Sequence, residues 1–255
     1  MLQLLVLLGL AAAPPAADLA PTGTLRASFI ASNPVQGRVD AKTGAVTGPV
    51  ADLTRELARR LGVPFVITPL PDAGAVLASV KAHTVDIGFL AYEAARATQV
   101  DFTNSYSLSS SAYAVRADSP LRTMADVDRA GMKIGAGKGA SQQIYVSANA
   151  KNARVVVMDE LPPNDALAAM LVSGEIDAVA ANRTRMEELA RSSPKVRVLS
   201  ENFLEVGQAL VVEKGGAARV DELNRFLADV RASGFVKSSL DRAGLAGVEV
   251  APAAP

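Results

Sequence analysis

The sequence contains no cysteine and no tryptophan, and His83 is its only histidine. These absences argue against a zinc site and a cysteine nucleophile, and a Ser–His–Asp triad would depend on that one histidine. We therefore predict no metal, no cofactor and no catalytic residue. His83 itself lies in the polar stretch "KAHTVD", which is typical of a solvated loop.

An excess of charge of either sign is also missing. Lys plus Arg and Asp plus Glu both number 26, so the formal net charge is zero, and aromatic residues make up only 4%. A neutral chain has no bulk attraction for nucleic acid or anionic lipid, and few aromatics leave little to stack on bases. We predict no nucleic-acid partner and no direct binding to a membrane.

An apolar segment begins the chain. "MLQLLVLLGLAAAPPAA" (residues 1–17) contains the apolar run 2–13, which has signal-peptide length and is too short to span a bilayer. Small residues Ala16 and Ala17 precede Asp18, as at a cleavage site, although the usual positively charged start is missing. We predict that residues 1–17 are a signal peptide and that the mature protein is periplasmic.

Short β-rich runs alternate with helical patterns along the rest of the chain, which is typical of α/β layers with mainly parallel strands. A regular apolar stripe predicts a helix over 48–62 that ends at Gly62, and Ser141, Asn164 and Asn182 are the expected N-caps of three later helices. The other predicted elements are strands at 24–30, 63–70, 85–91, 132–136, 153–158, 176–181 and 209–214, and helices at 75–83, 141–150, 164–174, 182–192, 219–233 and 235–243.

The glycine-rich stretch "KIGAGKGASQQIY" (133–145) is typical of a loop that binds an anion. No register gives the Gly-Lys-Ser/Thr of a P-loop, but Gly135, Gly137 and Ala140 satisfy the loose G-x-G-x-x-A form of a dinucleotide fingerprint. An acidic residue after the next strand could complete it, so spacing alone leaves this alternative open. The predicted export signal argues against a dinucleotide ligand.

Six segments in order resemble a known family. They are "GPVADLTRELARRLGVPF", "VKAHTVDIGF", "RATQVDFTNSY", "LRTMADVDRAGMKIGAGKGAS", "LVSGEIDAV" and "SGFVKSSLDRAG". Together they are similar to segments of the bacterial extracellular solute-binding proteins, family 3, the polar amino-acid type that feeds ABC importers. The resemblance spans residues 24–245. Departures from the family pattern, described below, indicate a divergent branch of that family.

This resemblance implies an α/β fold of the type II periplasmic binding protein class, with two lobes that close on a small solute. Lobe 1 is expected at 21–108 plus 208–250 and lobe 2 at 109–207, joined by two crossover strands. Each lobe would contain a mainly parallel sheet flanked by helices. The tail 251–255 is expected to be disordered.

The resemblance also implies a ligand site. Arg96 stands where the family's arginine clamps the ligand carboxylate, and a guanidinium matches two carboxylate oxygens. The family's assisting Ser/Thr falls near Ala91 and Tyr92, because Asp86 and Arg96 are only ten residues apart. The glycine loop would present backbone N–H groups at a helix N-terminus, which favour a carboxylate as readily as a phosphate. The expected loop residues are Gly139, Ala140 and Ser141.

Two positions depart from the family pattern. Asn182 stands where amino-acid receptors usually place an aspartate for the ligand's α-ammonium, and it is also a candidate helix cap. Asn33 and Ala73 stand where such receptors often place aromatics, and Asn33 would give a polar wall. Either the ligand lacks the ammonium or another acid supplies the charge.

The leading hypothesis is a monomeric binding protein that delivers a small carboxylate-bearing solute, an amino acid or related organic acid, to the permease of an ABC importer. The alternative is an enzyme on the same fold that is similar to the periplasmic cyclohexadienyl or arogenate dehydratases. Such an enzyme needs a general acid facing the cleft, and Glu93 and Glu205 are the nearest candidates in the sequence.

Overall fold

A computed structural model describes residues 18–252 of the chain. The predicted signal peptide, residues 1–17, lies outside the described residues. The strands are β1 Leu25–Ile30, β2 Arg38–Val39, β3 Val46–Thr47, β4 Phe65–Leu70, β5 Ile87–Ala91, β6 Val100–Phe102, β7 Ser107–Arg116, β8 Lys133–Gly137, β9 Arg154–Met158, β10 Ala178–Asn182, β11 Val196–Val198, β12 Leu204–Glu213 and β13 Val248–Val250. The helices are α1 Pro49–Leu61, α2 Ala73–Lys81, α3 Ala94–Ala97, α4 Met124–Val127, α5 Ser141–Asn149, α6 Asn164–Ser173, α7 Arg183–Ser192, α8 Ala217–Ala232 and α9 Phe235–Ala243.

The main sheet has the strand order β4-β1-β5-β12-β7-β10-β8-β9, with short strands added at its sides. Strand β1 runs parallel to β4 and β5, and β8 runs parallel to β9 and β10. These two parallel groups have helices between their strands, as expected for βαβ units. The fold class predicted from the alternation of elements is confirmed.

Strands β7 and β12 connect the two groups. Leu204–Gln208 of β12 pairs antiparallel with Ser107–Ser111 of β7. From Gln208 onward β12 pairs with β5, and from Ser111 onward β7 pairs with β10. We call the β4-β1-β5 side, with α1–α3, α8 and α9, lobe 1, and the β10-β8-β9 side, with α4–α7, lobe 2.

Each lobe buries its own apolar residues. In lobe 1, Phe29, Leu53 and Phe89 belong to one cluster that packs the sheet against α1, α8 and α9. In lobe 2, one cluster around Ile134 and another around Leu167 cover opposite faces of the sheet. Burying each such side chain stabilises the fold by about 1.5–3 kcal/mol. Separate cores let the lobes move as units about β7 and β12.

The helix ends follow from local chemistry, with two exceptions. Gly62 and Gly174 end α1 and α6 in the left-handed conformation, as predicted. The Asn182 side chain caps α7 by accepting the N–H of Arg185. The caps predicted at Ser141 and Asn164 are wrong, because each is the first helical residue and its side chain makes no cap bond.

The C-terminal segment packs against the connecting strands. Strand β13 pairs with Ser107–Ser109 of β7. Ala251 is buried, and its N–H donates to the carbonyl of Tyr106, while Pro252 O accepts from Arg231. Ala251 and Pro252 therefore pack against the fold, whereas the disordered tail was predicted to begin at residue 251. Within residues 18–252, no helix has the length and apolarity that crossing a bilayer requires.

Candidate functional site

A small cavity of about 50 Å³ lies between the lobes, against the connecting strands. We call it the inner cavity. A second cavity of about 80 Å³ shares Ile30 and Ala140 with it. The lining of the inner cavity comes from lobe 1 (Ile30, Asn33, Gln36, Ala91, Arg96), from lobe 2 (Ala140, Ser141, Gln142, Asn182) and from the connecting strands (Ser109, Gln208).

Arg96 supplies the positive charge of the inner cavity. It lies on α3, just after β5, and only 6% of it is exposed. Its Nη1 donates to the carbonyl of Ala91 at 2.7 Å, and its Nη2 donates across the cleft to the carbonyl of Gly139 at 2.6 Å. Burial lowers the pKa of Arg96, and the charge of Glu93 partly opposes this.

No carboxylate of the described chain forms an ion pair with Arg96. A buried charge is normally paired, because removing it from water costs several kcal/mol. Both of its acceptors are neutral carbonyls, and a guanidinium has further donors to offer. Chemically the arrangement suits an external anion, since a guanidinium fork matches the oxygens of a carboxylate or a phosphate.

The backbone donors left at the glycine loop begin two positions further along than predicted. Gly139 has φ +69°, and its N–H donates to Gln143 Oε1 at 3.0 Å. The N–H of Ala140 donates to Gly137 O at 3.2 Å. The backbone donors that remain at the N-terminus of α5 therefore begin with Ser141, which also suits an anion.

Two glycines of the loop serve packing. A Cβ on Gly135 would lie 2.6 Å from Met158 Cε and 3.0 Å from Ile176 Cδ1, and one on Gly137 would lie 3.1 Å from Leu161 Cγ. A Cβ at either position would therefore crowd a neighbouring side chain, so packing contributes to the use of glycine in β8. The G-x-G-x-x-A spacing needs no dinucleotide to explain it.

Ser141 faces the inner cavity with an unused hydroxyl. The residue is 4% exposed, and its Oγ has no hydrogen-bond partner among the described residues. A buried hydroxyl without a partner costs about 1–3 kcal/mol. Together with Arg96 on the opposite lobe, it presents donors from both sides to one small space.

Asn33 and Asn182 contact each other across the cleft. Asn182 Nδ2 donates to Asn33 Oδ1 at 3.1 Å, while Asn182 Oδ1 accepts the N–H of Arg185 at 2.9 Å. The cap role considered for Asn182 is therefore present in the structure. An ion pair between Arg38 and Glu188 joins the same rim of the two lobes.

Gly139 and Tyr92 are the predicted site residues that do not line the inner cavity, although the Gly139 carbonyl accepts from Arg96. The structure places Tyr92 elsewhere. It is 50% exposed and its ring packs edge-on against Phe102, with centroids 5.2 Å apart. Ala91, one residue earlier, does line the inner cavity and accepts from Arg96. Ala73 is buried and lines the second cavity.

Sequence reasoning missed Ser109, Gln142 and Gln208. Gln208 Nε2 donates to Ser109 Oγ at 2.8 Å, and Gln36 Nε2 approaches Gln208 Oε1 at 3.4 Å. Gln142 Nε2 donates to Ser111 Oγ at 2.8 Å. The one available signal was the polar Gln208 between Gly207 and the apolar run "ALVV" (209–212).

A larger cavity of about 360 Å³ lies outside this cleft, beside α1 and α9. Its carboxylate Asp52 accepts bonds from Arg55, Ser239 and Arg242. Each of its lining arginines has a carboxylate partner, Asp52 for Arg55 and Arg242 and Glu188 for Arg38, so volume alone does not make it the functional site. His83 is exposed, as predicted, and it also has a carboxylate partner: its Nε2 lies 2.6 Å from Glu213 Oε2.

We expect Ser141→Ala to weaken binding of a carboxylate about tenfold, because a hydroxyl that donates to the anion is lost. The ligand-free protein should not lose stability, since that hydroxyl has no partner in the described chain. Calorimetric titration and thermal unfolding measure the two effects.

Ser147→Ala is the matched control, since Ser147 lies on the exposed side of the same helix. Equal affinity in Ser141→Ala and the wild type would contradict the assignment.

The comparison with known families can now be set beside this geometry. The family model described as bacterial extracellular solute-binding proteins, family 3, matches residues 28–243. The chain belongs to this family. The resemblance inferred from the six sequence segments is confirmed, and the two-lobed arrangement of family 3 is the one described above.

Among family 3 relatives, the L-cystine-binding protein TcyJ of Escherichia coli (strain K12) is 23% identical over 198 residues, 76% of this chain and 73% of that protein. The substrate-binding protein AbpA from Streptococcus pneumoniae, solved with L-arginine, is 22% identical with a TM-score of 0.75 and covers 88% of this chain and 96% of its own. The ancestral amino acid-binding protein AncCDT-1, a precursor of cyclohexadienyl dehydratase, is 20% identical with a TM-score of 0.75, over 88% and 97% of the two chains. At these identities the solved structures establish the fold.

Proposed function

We propose that this protein captures a small carboxylate-bearing solute between its lobes and delivers it to the permease of an ABC importer. It acts in the periplasm, to which residues 1–17 direct it, and it works as a monomer. The solute's carboxylate binds Arg96 from lobe 1 and the start of α5 from lobe 2. Asn33, Ala91 and Asn182 complete the wall around it.

The proposal rests on the burial of Arg96 and on its hydrogen-bond partners. It is 6% exposed, lies between the lobes and has only carbonyl partners at 2.7 and 2.6 Å. One of these partners is Gly139 of the other lobe, so an anion at this point contacts both lobes and favours closure. Closure on a solute gives an importer two states to distinguish.

The test is a thermal-shift screen of protein stripped of bound solute by unfolding and refolding. The panel contains amino acids, 2-oxo acids, 2-hydroxy acids and dicarboxylates, with uncharged amides of the same skeletons as matched controls. A true ligand at about a hundredfold excess over its Kd stabilises the fold by about 2.7 kcal/mol. A flat response to every carboxylate, or equal responses to acid and amide, would contradict the proposal.

The dehydratase alternative finds less support in the geometry. Neither Glu93 nor Glu205 lines the inner cavity, and Glu205 is exposed on β12. The alternative predicts turnover of prephenate or arogenate by the purified protein, and we expect none under conditions in which a carboxylate binds.

A further inference from the structure

Among the described residues that line the inner cavity, Arg96 is the only charged one, and the remaining polar side chains are amides and hydroxyls. A bound carboxylate neutralises Arg96. An α-ammonium on the same solute would enter the cavity as a second charge without a partner, at a cost of several kcal/mol.

Asn182 presents a hydrogen-bond donor to the cleft, whereas an ammonium needs an acceptor. Its Oδ1 accepts the N–H of Arg185 at 2.9 Å as the cap of α7, and its Nδ2 points into the cleft, where it donates to Asn33 Oδ1. That acceptor already receives the N–H of Val35 at 3.1 Å. The side chain at the ammonium position therefore presents an N–H, which repels an ammonium and suits a hydroxyl or carbonyl oxygen.

The other amides of the inner cavity do not replace the missing acceptor. Gln208 Oε1 already faces Gln36 Nε2, and Gln36 Oε1 accepts the N–H of Ile30 at 2.9 Å. Gln142 Nε2 donates to Ser111 Oγ, and Ser141 adds a hydroxyl without a partner among the described residues. These groups are all neutral, so within the described lining an ammonium would meet neutral acceptors and no carboxylate.

The nearby carboxylates lie outside the inner cavity. Asp72, Asp159 and Glu160 line the second cavity, where Asp72 caps α2 through the N–H of Ala75 at 2.8 Å and Asp159 pairs with Lys138 at 3.0 Å. Glu93, whose charge acts on Arg96, is not part of the inner lining either. An α-ammonium is attached to the carbon that carries the carboxylate, so it enters the inner cavity together with that carboxylate.

We propose that the solute is a small carboxylate with an oxygen, not an ammonium, on its α-carbon, that is, a 2-hydroxy or 2-oxo acid. Asn182 recognises this oxygen through its side-chain N–H. The inference rests on the proposed function and specifies the class of solute bound at the same site.

The test compares solutes that differ only at the α-carbon. Stripped protein is titrated calorimetrically with L-lactate, pyruvate and L-alanine, with 2-hydroxyglutarate, 2-oxoglutarate and L-glutamate, and with the 2-hydroxy, 2-oxo and amino forms of the leucine skeleton. We expect at least one oxygen acid to bind tenfold or more tightly than its amino acid. In Asn182→Asp the preference should reverse, because an acid now faces the α-substituent.

Asn202→Asp is the matched control, an amide-to-acid change on an exposed residue of the same lobe, and it should keep the wild-type preference. Aspartate caps a helix as well as asparagine does but cannot donate to Asn33 Oδ1, so Asn182→Asp should remain folded with a slightly lower melting temperature. A wild-type preference for the amino acids would overturn the inference and leave the proposed function intact. Absence of binding by every acid in the panel would overturn the proposed function and the inference with it.

Discussion

Arg96→Met should abolish tight binding while leaving the free protein folded. We expect the affinity for the carboxylate solute to fall by at least about 100-fold, because two hydrogen bonds to a charged group are each worth about 1.5–3 kcal/mol. The unfolding free energy of the ligand-free protein should change by less than about 1 kcal/mol or rise. The substitution removes a buried charge whose only partners are the carbonyls of Ala91 and Gly139.

Thermal unfolding and calorimetric titration of the same preparation separate the two effects. Arg225→Met, on an exposed arginine of lobe 1, is the control and should change neither. A loss of stability in Arg96→Met equal to the loss of binding energy would show that Arg96 is a structural residue and not a ligand clamp.

Asp86→Ala should be the most destabilising exchange of a charged residue in lobe 1. The Asp86 side chain is 3% exposed and accepts the N–H of Arg26 at 2.8 Å, its Nε at 3.1 Å and its Nη2 at 2.6 Å. These bonds hold β1 beside β5, where Ala27 pairs with Ile87. Removing one partner of a buried ion pair costs about 3–5 kcal/mol, and the partial exposure of Arg26 favours the lower figure, about 3 kcal/mol.

That change corresponds to a melting temperature lower by about 6–12 °C for a chain of this size. Asp229→Ala is the control: its carboxylate is 68% exposed, its pair with Arg60 lies on the surface, and it should cost less than about 1 kcal/mol. Equal destabilisation by the two substitutions would contradict the role given to Asp86.

The regular elements could be predicted because their signals are local. The apolar stripe of 48–62 predicted α1, and the structure buries Val50, Leu53 and Leu57 on that face. The strand expected at 24–30 is β1, Leu25–Ile30. In both segments the apolar residues face a core, so their pattern in the sequence predicts the element.

The connecting strand β7 could not be predicted in the same way. Segment 104–113 is polar and rich in serine, which is typical of an exposed connection, yet Ser107, Ser109 and Ser111 are buried in the strand that joins the lobes. Their burial depends on β12, whose paired residues lie about a hundred positions further along the chain. The composition of a segment does not reveal a pairing partner that is so distant in the chain.

The site was predictable where a motif fixes a residue and not where tertiary packing does. Arg96 lies between the lobes as the "RATQVDF" segment implies. Tyr92 turns outward to Phe102, in the short connection between β5 and α3 that already departed from the family spacing. Gln208 and Ser109 meet only because β12 and β7 pair, so their bond follows from the assembled fold.

A crystal structure of the complex with the strongest solute from the screen would locate the bound carboxylate. We expect its oxygens about 2.7–3.1 Å from the guanidinium of Arg96 and from Ser141 Oγ, with both lobes in contact with the solute. A solute bound to one lobe alone, or in the larger cavity beside Asp52, would contradict this expectation.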